Sequence, residues 1–208
     1  MVLSYKFRSL CFAFLLMGCV DGERDNPYDP DGINYNPNAF VVSQSGSPVT
    51  YEGETYQTVV IGNQTWFASN LNYAPSSGTF ISCYTYDCAT YGRLYDWETA
   101  MTVCPSGWHL PSQAEWNVLG DDARKLKATS GWYNNDSDIG YYGFSALPGG
   151  YGNSDGSFYG VGTDGYWWSA SEYNSNDAYY RDMYYNGDFA CWYHDSKYYL
   201  FSVRCVKD

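Results

Sequence analysis

Short segments of alternating apolar and polar residues, separated by turn-forming residues, characterise the chain from Val49 onward. Gly62-Asn63 stands between the apolar segments 59–61 and 64–67, and Glu52-Gly53-Glu54 stands between two earlier ones. A short loop whose first residue accepts positive φ favours a hairpin. The pattern therefore predicts two antiparallel hairpins at the start of a folded domain.

Two segments have helical spacing. Apolar residues in 92–101 recur at positions i, i+3 and i+7, which predicts an amphipathic helix. A second helix is expected from the capping box Ser112-Gln113-Ala114-Glu115 to about Gly120, with a further helical turn in 121–128.

The C-terminal half is expected to be loop and strand. Residues 131–165 are dense in Gly, Asn, Asp and Ser, and a loop of this length is usually functional or packed internally. Asn186-Gly187 is a strong hairpin signal. The strands are predicted at 167–171, 178–185, 189–193 and 198–206. Together with the two helices, these strands indicate an α+β fold.

The N-terminus is typical of an exported protein. Two basic residues precede the apolar stretch 10–17, which is shorter than the ~20 residues that span a bilayer. The stretch ends in Leu16-Met17-Gly18-Cys19, which resembles the lipobox of bacterial lipoproteins, where the cysteine is acylated after cleavage. We expect 1–18 to be a signal peptide and Cys19 the lipid attachment site. An ordinary signal peptide with a chance cysteine is the alternative.

The segment 19–48 has the composition of a tether. It is rich in Asp, Asn, Pro and Gly and has neither helical nor strand period. Its spaced aspartates lack the full ligand spacing of an EF-hand. The apolar group 40–42 is interpreted either as a short docking strand or as the end of the tether. The domain is expected to span 49–208.

Charge and composition narrow the function. The chain has 208 residues, a net charge of −12, and 8 Trp, 24 Tyr and 10 Phe. An acidic chain lacks the Lys/Arg excess that a nucleic-acid surface requires, so nucleic acid is excluded as a partner. With 45% hydrophobic and 16% charged residues, the chain is not disordered. Residues 19–208 carry 9 basic and 23 acidic side chains, so acyl chains and not charge are expected to hold the protein on a membrane.

Export favours disulfides. Two of the seven cysteines precede the domain, which leaves five within it. These five form no CxxC pair, which argues against a structural zinc site or a thioredoxin-type dithiol.

Two pairings are compatible with the spacing of the domain cysteines. Cys83 and Cys88 bracket a four-residue turn. Cys104 and Cys205 would close a loop of about 100 residues, which stabilises a fold by ~4.7 kcal/mol in the chain-entropy account. Five is an odd number, so one cysteine is expected to stay unpaired. These two pairings leave Cys191.

Six ordered blocks of the domain resemble the Fibrobacter succinogenes major paralogous domain family. The blocks are Gly62-Asn63-Gln64-Thr65-Trp66 with Asn70-Leu71-Asn72-Tyr73, Tyr91-Gly92-Arg93-Leu94-Tyr95-Asp96-Trp97, Val103-Cys104-Pro105-Ser106-Gly107-Trp108-His109-Leu110-Pro111, Gly143-Phe144-Ser145-Ala146-Leu147-Pro148-Gly149-Gly150, Trp167-Trp168-Ser169, and Ser202-Val203-Arg204-Cys205-Val206-Lys207-Asp208. The resemblance covers 49–208.

The resemblance implies a fold and a location more than a function. The family is similar in pattern to the C-type lectin and formylglycine-generating enzyme superfold, and its members are surface or secreted proteins, often lipid-anchored. It therefore implies a C-type-lectin-like fold with two helices, antiparallel hairpins and a long loop region. In lectin-like folds the first helix is joined to the last strand, which agrees with a Cys104–Cys205 disulfide.

Tyrosine doublets are the most prominent candidate for ligand binding. Neighbours in a strand point to opposite faces, so each doublet is expected to place one ring in the core and one outside. Exposed rings on a rigid sheet stack on sugars or anchor a protein partner. The alternative, weighed equally, is that the tyrosines only cover the sheet. The candidate ligand-binding residues are Tyr179, Tyr180, Tyr184, Tyr185, Trp192 and Tyr193.

The sequence signals for catalysis are weaker than those for ligand binding. His109 is expected to be a hydrogen-bonded structural residue, and no nucleophile elbow is present. Glu98, Glu115 and Glu172 form a candidate set for glycoside hydrolysis only if they meet in space; Glu115 is better explained by the capping box. Oxygen-rich turns around Asn176-Asp177 are expected to be solvated, not bound to calcium.

The sequence thus predicts a non-catalytic binding or adhesion module, exported and lipid-anchored to the bacterial cell envelope at the outer membrane. Its expected ligand is a polysaccharide or a surface protein, and neither a cofactor nor a metal is expected. The alternatives are an enzyme of the same superfold, a carbohydrate-active enzyme, and a purely structural envelope protein.

Overall fold

The computed structural model describes residues 43–83, 85–134 and 140–208. The predicted signal peptide, Cys19 and the tether up to residue 42 lie outside the described residues. The helices are α1 (Cys88–Tyr91), α2 (Trp97–Ala100), α3 (Gln113–Val118) and α4 (Ala123–Leu126). The strands are β1 (Ser43–Ser45), β2 (Val49–Tyr51), β3 (Glu54–Tyr56), β4 (Thr58–Ile61), β5 (Gln64–Phe67), β6 (Leu94–Tyr95), β7 (Trp108–His109), β8 (Tyr151–Gly152), β9 (Phe158–Tyr159), β10 (Asp164–Glu172), β11 (Asp177–Tyr184), β12 (Cys191–Ser196), β13 (Phe201–Ser202) and β14 (Val206–Lys207).

One five-stranded sheet has the strand order β1-β4-β5-β14-β7. Strand β1 pairs antiparallel with β4, so Ser43–Ser45, which the sequence analysis assigned to the tether, is paired within the domain. Strands β4 and β5 form the hairpin predicted around Gly62, which adopts a φ of 62°. Val206 of β14 pairs with both Trp66 of β5 and His109 of β7. The last strand therefore joins the sheet that an early hairpin begins.

A second five-stranded sheet has the order β12-β11-β10-β13-β6. Strands β10, β11 and β12 form an antiparallel meander, while β13 runs parallel to β10, with Ser202 opposite Trp167. The prediction of one strand over 198–206 is wrong, because this part of the chain contributes two short strands, β13 and β14, to different sheets. The chain passes from one sheet to the other between β13 and β14, within residues 203–205.

The helix predicted over 92–101 is shorter in the structure. Leu94–Tyr95 forms β6 and pairs with β13, and Asp96 caps α2 by accepting a hydrogen bond from the Thr99 N–H at 2.9 Å. A capping aspartate starts a helix after itself, so its N-terminal neighbours are free to pair as a strand. The second predicted helix is confirmed as α3 with its complete Ser112/Glu115 capping box. Helix α1 was not predicted.

Two loop predictions need refinement. The long loop at 131–165 contains the hairpin of β8 and β9. The hairpin predicted at Asn186-Gly187 is present, but its loop covers 185–190 and neither residue has a positive φ. The turn is therefore not the two-residue type that the dipeptide favours.

Tryptophans fill the core between the sheets. Trp66, Trp116 and Trp167 are fully buried in one cluster, and Trp168 is fully buried in a second cluster with Phe201. A buried indole N–H needs an acceptor. For Trp168 that acceptor is the carbonyl of Tyr95 at 2.8 Å.

A buried hydrogen-bond hub joins four of the six sequence blocks. The Asn70 Oδ1 atom accepts from Trp167 Nε1 at 2.9 Å and from Arg204 Nε at 2.7 Å. The Arg204 guanidinium also donates to the carbonyls of Phe67, Phe144 and Ser145. Arg204 is 0% exposed, and burial lowers its pKa to about 9. All four of these hydrogen bonds have neutral oxygen acceptors. They stabilise the buried cation because they partly replace the hydrogen bonds to water that burial removes.

Together these elements define a sheet-rich α+β domain. In the described part of the chain, no helix is long and apolar enough to cross a membrane.

Candidate functional site

The register of β10, β11 and β12 decides which of the predicted ligand-binding residues lie together. Tyr180 pairs with Tyr193, whereas Tyr179 pairs with His194. Directly paired residues share a face, and neighbours along a strand lie on opposite faces. The six residues therefore do not form one row, because only Tyr184 joins Tyr180 and Tyr193 on their face.

Tyr179 and Trp192 lie on the other face, in a small aromatic group at the end of the meander. The ring of Tyr173 stacks on His194 with centroids 3.5 Å apart, and Tyr179 lies 6.5 Å from Trp192. The Trp192 indole donates to Asn117 Oδ1 at 2.9 Å. This group covers α3 and is separate from the face that carries Tyr180.

The expected split of each doublet into one core ring and one exposed ring is only partly seen. Tyr180 is 7% exposed and its neighbour Tyr179 is half-buried. Tyr185 is also half-buried and packs edge-on against Tyr133 with centroids 5.4 Å apart. None of the six predicted residues is highly exposed, so the predicted exposed row is wrong in this respect.

Tyrosine and aspartate instead alternate with period two along all three strands of the meander. Because alternate residues share a face, this spacing brings the tyrosines and carboxylates together. This set, the Tyr/Asp face, consists of Asp164 and Tyr166 of β10, Tyr180, Asp182 and Tyr184 of β11, and Tyr193 and Asp195 of β12.

The rings of the Tyr/Asp face are in contact with one another. The Tyr166 centroid lies 5.8 Å from Tyr180 and 6.2 Å from Tyr184, and Tyr180 lies 6.2 Å from Tyr193. Tyr180 is buried, while Tyr166, Tyr184 and Tyr193 are half-buried. The face thus has a buried centre and a partly solvated rim.

Two further tyrosines extend the rim. Tyr151 lies 5.4 Å from Tyr166 and 6.1 Å from Tyr199. Neither was among the predicted ligand-binding residues, and neither was Tyr166. The alternation of Tyr with Asp at every second position was present in the sequence and identifies Tyr166. Tyr151 and Tyr199 reach the face from other strands and loops, which only the tertiary structure reveals.

The carboxylates of the face are poorly solvated. Asp182 is 1% exposed, and burial raises its pKa to about 7, against the opposing effects of the Tyr184 hydroxyl and the Cys191 N–H. Neither Asp182 oxygen has a hydrogen-bond partner of ordinary geometry in the described residues. Burial also raises the pKa of Asp164 and of Asp195.

The chemistry of this face suits hydroxyl-rich ligands. Tyrosine offers an apolar ring surface with a polar edge, and the carboxylates of Asp164 and Asp195 accept hydrogen bonds. The rim therefore combines partly solvated tyrosine rings with carboxylate acceptors for hydroxyl groups.

Across 43–83, 85–134 and 140–208, no group of three or more His, Cys, Asp or Glu side chains is placed to hold a metal ion. The oxygen-rich turn near Asn176-Asp177 is closed by its own hydrogen bonds, since Asn174 Oδ1 accepts from both backbone N–H groups at 2.7 and 2.9 Å.

Two disulfides are confirmed. Cys83 bonds to Cys88, and Cys104 bonds to Cys205 with 101 residues of sequence separation. The expectation that Cys191 stays unpaired is wrong, because Cys191 is disulfide-bonded.

His109 is held by carboxylates on both ring nitrogens. Its Nδ1 lies 2.6 Å from Asp208 Oδ1 and its Nε2 lies 2.7 Å from Glu115 Oε1. Burial alone lowers the pKa of His109, but the hydrogen bonds to the two carboxylates outweigh burial and raise it. Glu115 also accepts from the Ser112 N–H at 2.7 Å. The histidine thus bridges α3 and the last residues of the chain, in agreement with the predicted structural role.

The other carboxylates proposed for glycoside hydrolysis have different surroundings. Glu172 accepts a hydrogen bond from Lys197 Nζ at 2.7 Å, and that ammonium lies 4.4 Å from the centroid of the Trp97 ring. Glu98 is an exposed residue in the first turn of α2.

The structure is that of a disulfide-linked, sheet-rich α+β domain built around a buried Asn70–Trp167–Arg204 hub. The model of the Fibrobacter succinogenes major domain matches residues 59–207. Since the match covers well over half of the chain, the chain belongs to this family, and the resemblance noted in the sequence is confirmed. No curated protein and no solved structure gives a significant match.

Proposed function

We propose that this protein is a non-catalytic, lipid-anchored module of the bacterial cell envelope that binds a polysaccharide through the Tyr/Asp face. The observation that carries the proposal is the period-two alternation of tyrosine and aspartate on β10, β11 and β12. Aromatic rings on a rigid sheet stack on sugar faces with little loss of side-chain entropy, and the neighbouring carboxylates accept from sugar hydroxyls.

Charge favours a ligand that is not itself strongly anionic. Four of the cationic side chains, Lys127, Arg181, Lys197 and Arg204, are buried. Arg181, for example, donates to the carbonyls of Trp116 and Ala190 at 3.1 Å. Buried cations contribute little positive charge to the protein surface. The solvated surface is therefore more acidic than the formal charge of −12 suggests. A field of this sign repels polyanions.

The finer fold assignment belongs to the same proposal. We take the domain to be C-type-lectin-like, and the disulfide from Cys104, just after α2, to Cys205, just before β14, supports that assignment. An enzyme of that superfold and a purely structural envelope protein are the competing functions.

A glycan array probed with the full-length chain, with and without calcium, tests the binding function. We expect binding to one class of neutral polysaccharide. Changing Tyr193→Ala should weaken that binding by about tenfold, the equivalent of ~1.4 kcal/mol, because one stacking ring is lost from the rim. Binding to no glycan in either condition, together with hydrolysis of a glycan, would replace this proposal with the enzymatic one; binding to none without hydrolysis favours the structural one.

The membrane anchor is tested separately. Cys19 is proposed to carry the acyl chains that place the protein at the outer membrane. Labelled palmitate fed to cells should enter the wild-type protein and not the Cys19→Ala variant. Equal labelling of both proteins, or labelling of neither, contradicts the anchor.

A further inference from the structure

A cleft lies between the β2–β3 hairpin and the segment that follows β5, and none of the residues that line it belongs to the Tyr/Asp face. Its cavity volume is about 260 Å³. That is slightly below the ~300 Å³ at the lower end for drug-sized ligands, so it suits one saccharide unit or a comparably small group. The residues that determine its chemistry are Tyr51, Glu52, Glu54, Tyr56, Asn72 and Tyr73.

The hairpin tip has an unusual backbone for its sequence. Strands β2 and β3 pair through a two-residue turn at Glu52-Gly53, and both residues have positive φ, 49° and 84°. Such turns favour Asn, Asp or Gly at both positions. A glutamate in the left-handed region costs roughly 1–3 kcal/mol, so stability alone does not explain Glu52 at this tip.

Some hydrogen-bond donors of this cleft are already used inside it. Asn72 Nδ2 donates to Glu54 Oε1 at 2.7 Å, and the Asn72 N–H donates to the Tyr56 hydroxyl at 3.2 Å. The Tyr51 hydroxyl interacts with that of Tyr73.

Three other polar groups of the cleft are acceptors. Asn72 Oδ1 is buried and has no hydrogen-bond partner in the described residues, which leaves a buried acceptor unsatisfied at a cost of about 1–3 kcal/mol. The carboxylates of Glu52 and Glu54 are acceptors as well. Arg93, a cation that contacts Asn72, donates to the backbone carbonyls of Asn72 and Ile81. The two exposed carboxylates therefore favour a ligand that supplies donors.

The aromatic walls favour a positively charged donor. The rings of Tyr51 and Tyr73 lie with centroids 4.9 Å apart at an interplanar angle of 54°, so they form a corner open to a small group. The negative face of a tyrosine ring attracts an ammonium group, and two glutamates lie beside it. Ring faces also stack on a sugar.

We propose that this cleft is a second binding site, separate from the Tyr/Asp face, which takes an amino sugar unit with a free, protonated amine. The ammonium lies between the Tyr51/Tyr73 corner and the carboxylates of Glu52 and Glu54, which accept its hydrogen bonds. A lysine side chain carries the same cation, but it lacks the hydroxyl donors and the flat ring face that the acceptors and the tyrosine corner match.

Isothermal titration calorimetry of the full-length protein tests this site with three probes. We expect a glucosamine tetramer to bind at pH 6, the N-acetylglucosamine tetramer to bind at least tenfold more weakly, and a trilysine peptide to bind more weakly than the glucosamine tetramer. Equal binding of the acetylated tetramer, stronger binding of trilysine, or no binding of the glucosamine tetramer overturns the proposal.

Matched variants locate the binding. E52Q/E54Q keeps the shape of the cleft, and the amide oxygen that replaces the Glu54 carboxylate is still able to accept from Asn72, so the fold is expected to be retained. This variant should lose at least tenfold in affinity for the glucosamine tetramer. E98Q, which removes one exposed carboxylate from α2, should bind like the wild type. Unchanged affinity in E52Q/E54Q, or an equal loss in E98Q, contradicts the proposed site.

The second site and the binding function proposed for the Tyr/Asp face are tested independently of each other. Tyr193→Ala lies outside the cleft, so it should leave glucosamine binding unchanged even where it weakens binding of a neutral polysaccharide. A loss of glucosamine binding in Tyr193→Ala, with E52Q/E54Q unaffected, assigns the amine to the Tyr/Asp face and overturns the second site.

Discussion

Replacing Arg204 with methionine is expected to lower the free energy of unfolding by roughly 3–5 kcal/mol. Methionine retains much of the apolar stem, but it removes every donor that reaches Asn70, Phe67, Phe144 and Ser145. The buried carbonyls then lose a partner that water cannot replace. Thermal unfolding should show Tm lowered by roughly 6–20 °C, at 2–4 °C per kcal/mol for a domain of this size.

Arg124→Met is the matched control. Arg124 is exposed and pairs with Asp122 at 2.9 Å on α4, and an exposed ion pair contributes about 1 kcal/mol at most. Its Tm should change by only a few degrees. If both variants unfold at similar temperatures, the buried hydrogen bonds of Arg204 do not stabilise the fold.

Removing the long-range disulfide is expected to have the second large effect. The Cys104→Ala/Cys205→Ala variant releases a loop of 101 residues of sequence separation, and constraint of that loop in the unfolded chain is worth ~4.7 kcal/mol, with measured losses of about 2–5 kcal/mol for natural disulfides. Under oxidising conditions, chemical denaturation should show that loss. After reduction, wild type and variant should converge.

The short disulfide provides the comparison. Cys83 and Cys88 are separated by five residues, and the same chain-entropy relation gives about 2 kcal/mol for such a loop. Cys83→Ala/Cys88→Ala should therefore be the less destabilised variant. An identical loss in the two double variants, or no loss in either, is inconsistent with loop constraint as the source of stability.

Local signals predicted the elements that depend on neighbours in sequence. The capping box at Ser112 and the hairpin at Gly62 are each determined within a few residues, and both are confirmed. The helix predicted over 92–101 is only partly present, because Leu94–Tyr95 pairs with β13 and the Asp96 cap begins the helix at Trp97. No local signal indicates that the chain changes sheet at 203–205.

The same limit applies to the candidate site. The tyrosine doublets predicted a ligand-binding site on β11 and β12. The two residues of a doublet lie on opposite faces of the sheet, however, because neighbours along a strand point in opposite directions. The period-two spacing of Tyr with Asp groups residues on one face and was the better signal. Tyr151, and the cleft at Asn72, require long-range contacts and were beyond the sequence.

We propose that the Tyr/Asp face binds a polysaccharide while the buried hub only maintains the fold. The most direct test of this proposal is the Kd for the strongest glycan of the array, measured together with Tm, in wild type, Tyr193→Ala, Asp195→Asn and Tyr141→Ala. Tyr141 is 66% exposed and lies outside the face. We predict a Kd about tenfold higher for Tyr193→Ala and several-fold higher for Asp195→Asn, with Tm nearly unchanged in Asp195→Asn and wild-type affinity in Tyr141→Ala. Wild-type affinity in both face variants, or an equal loss in Tyr141→Ala, would contradict the account.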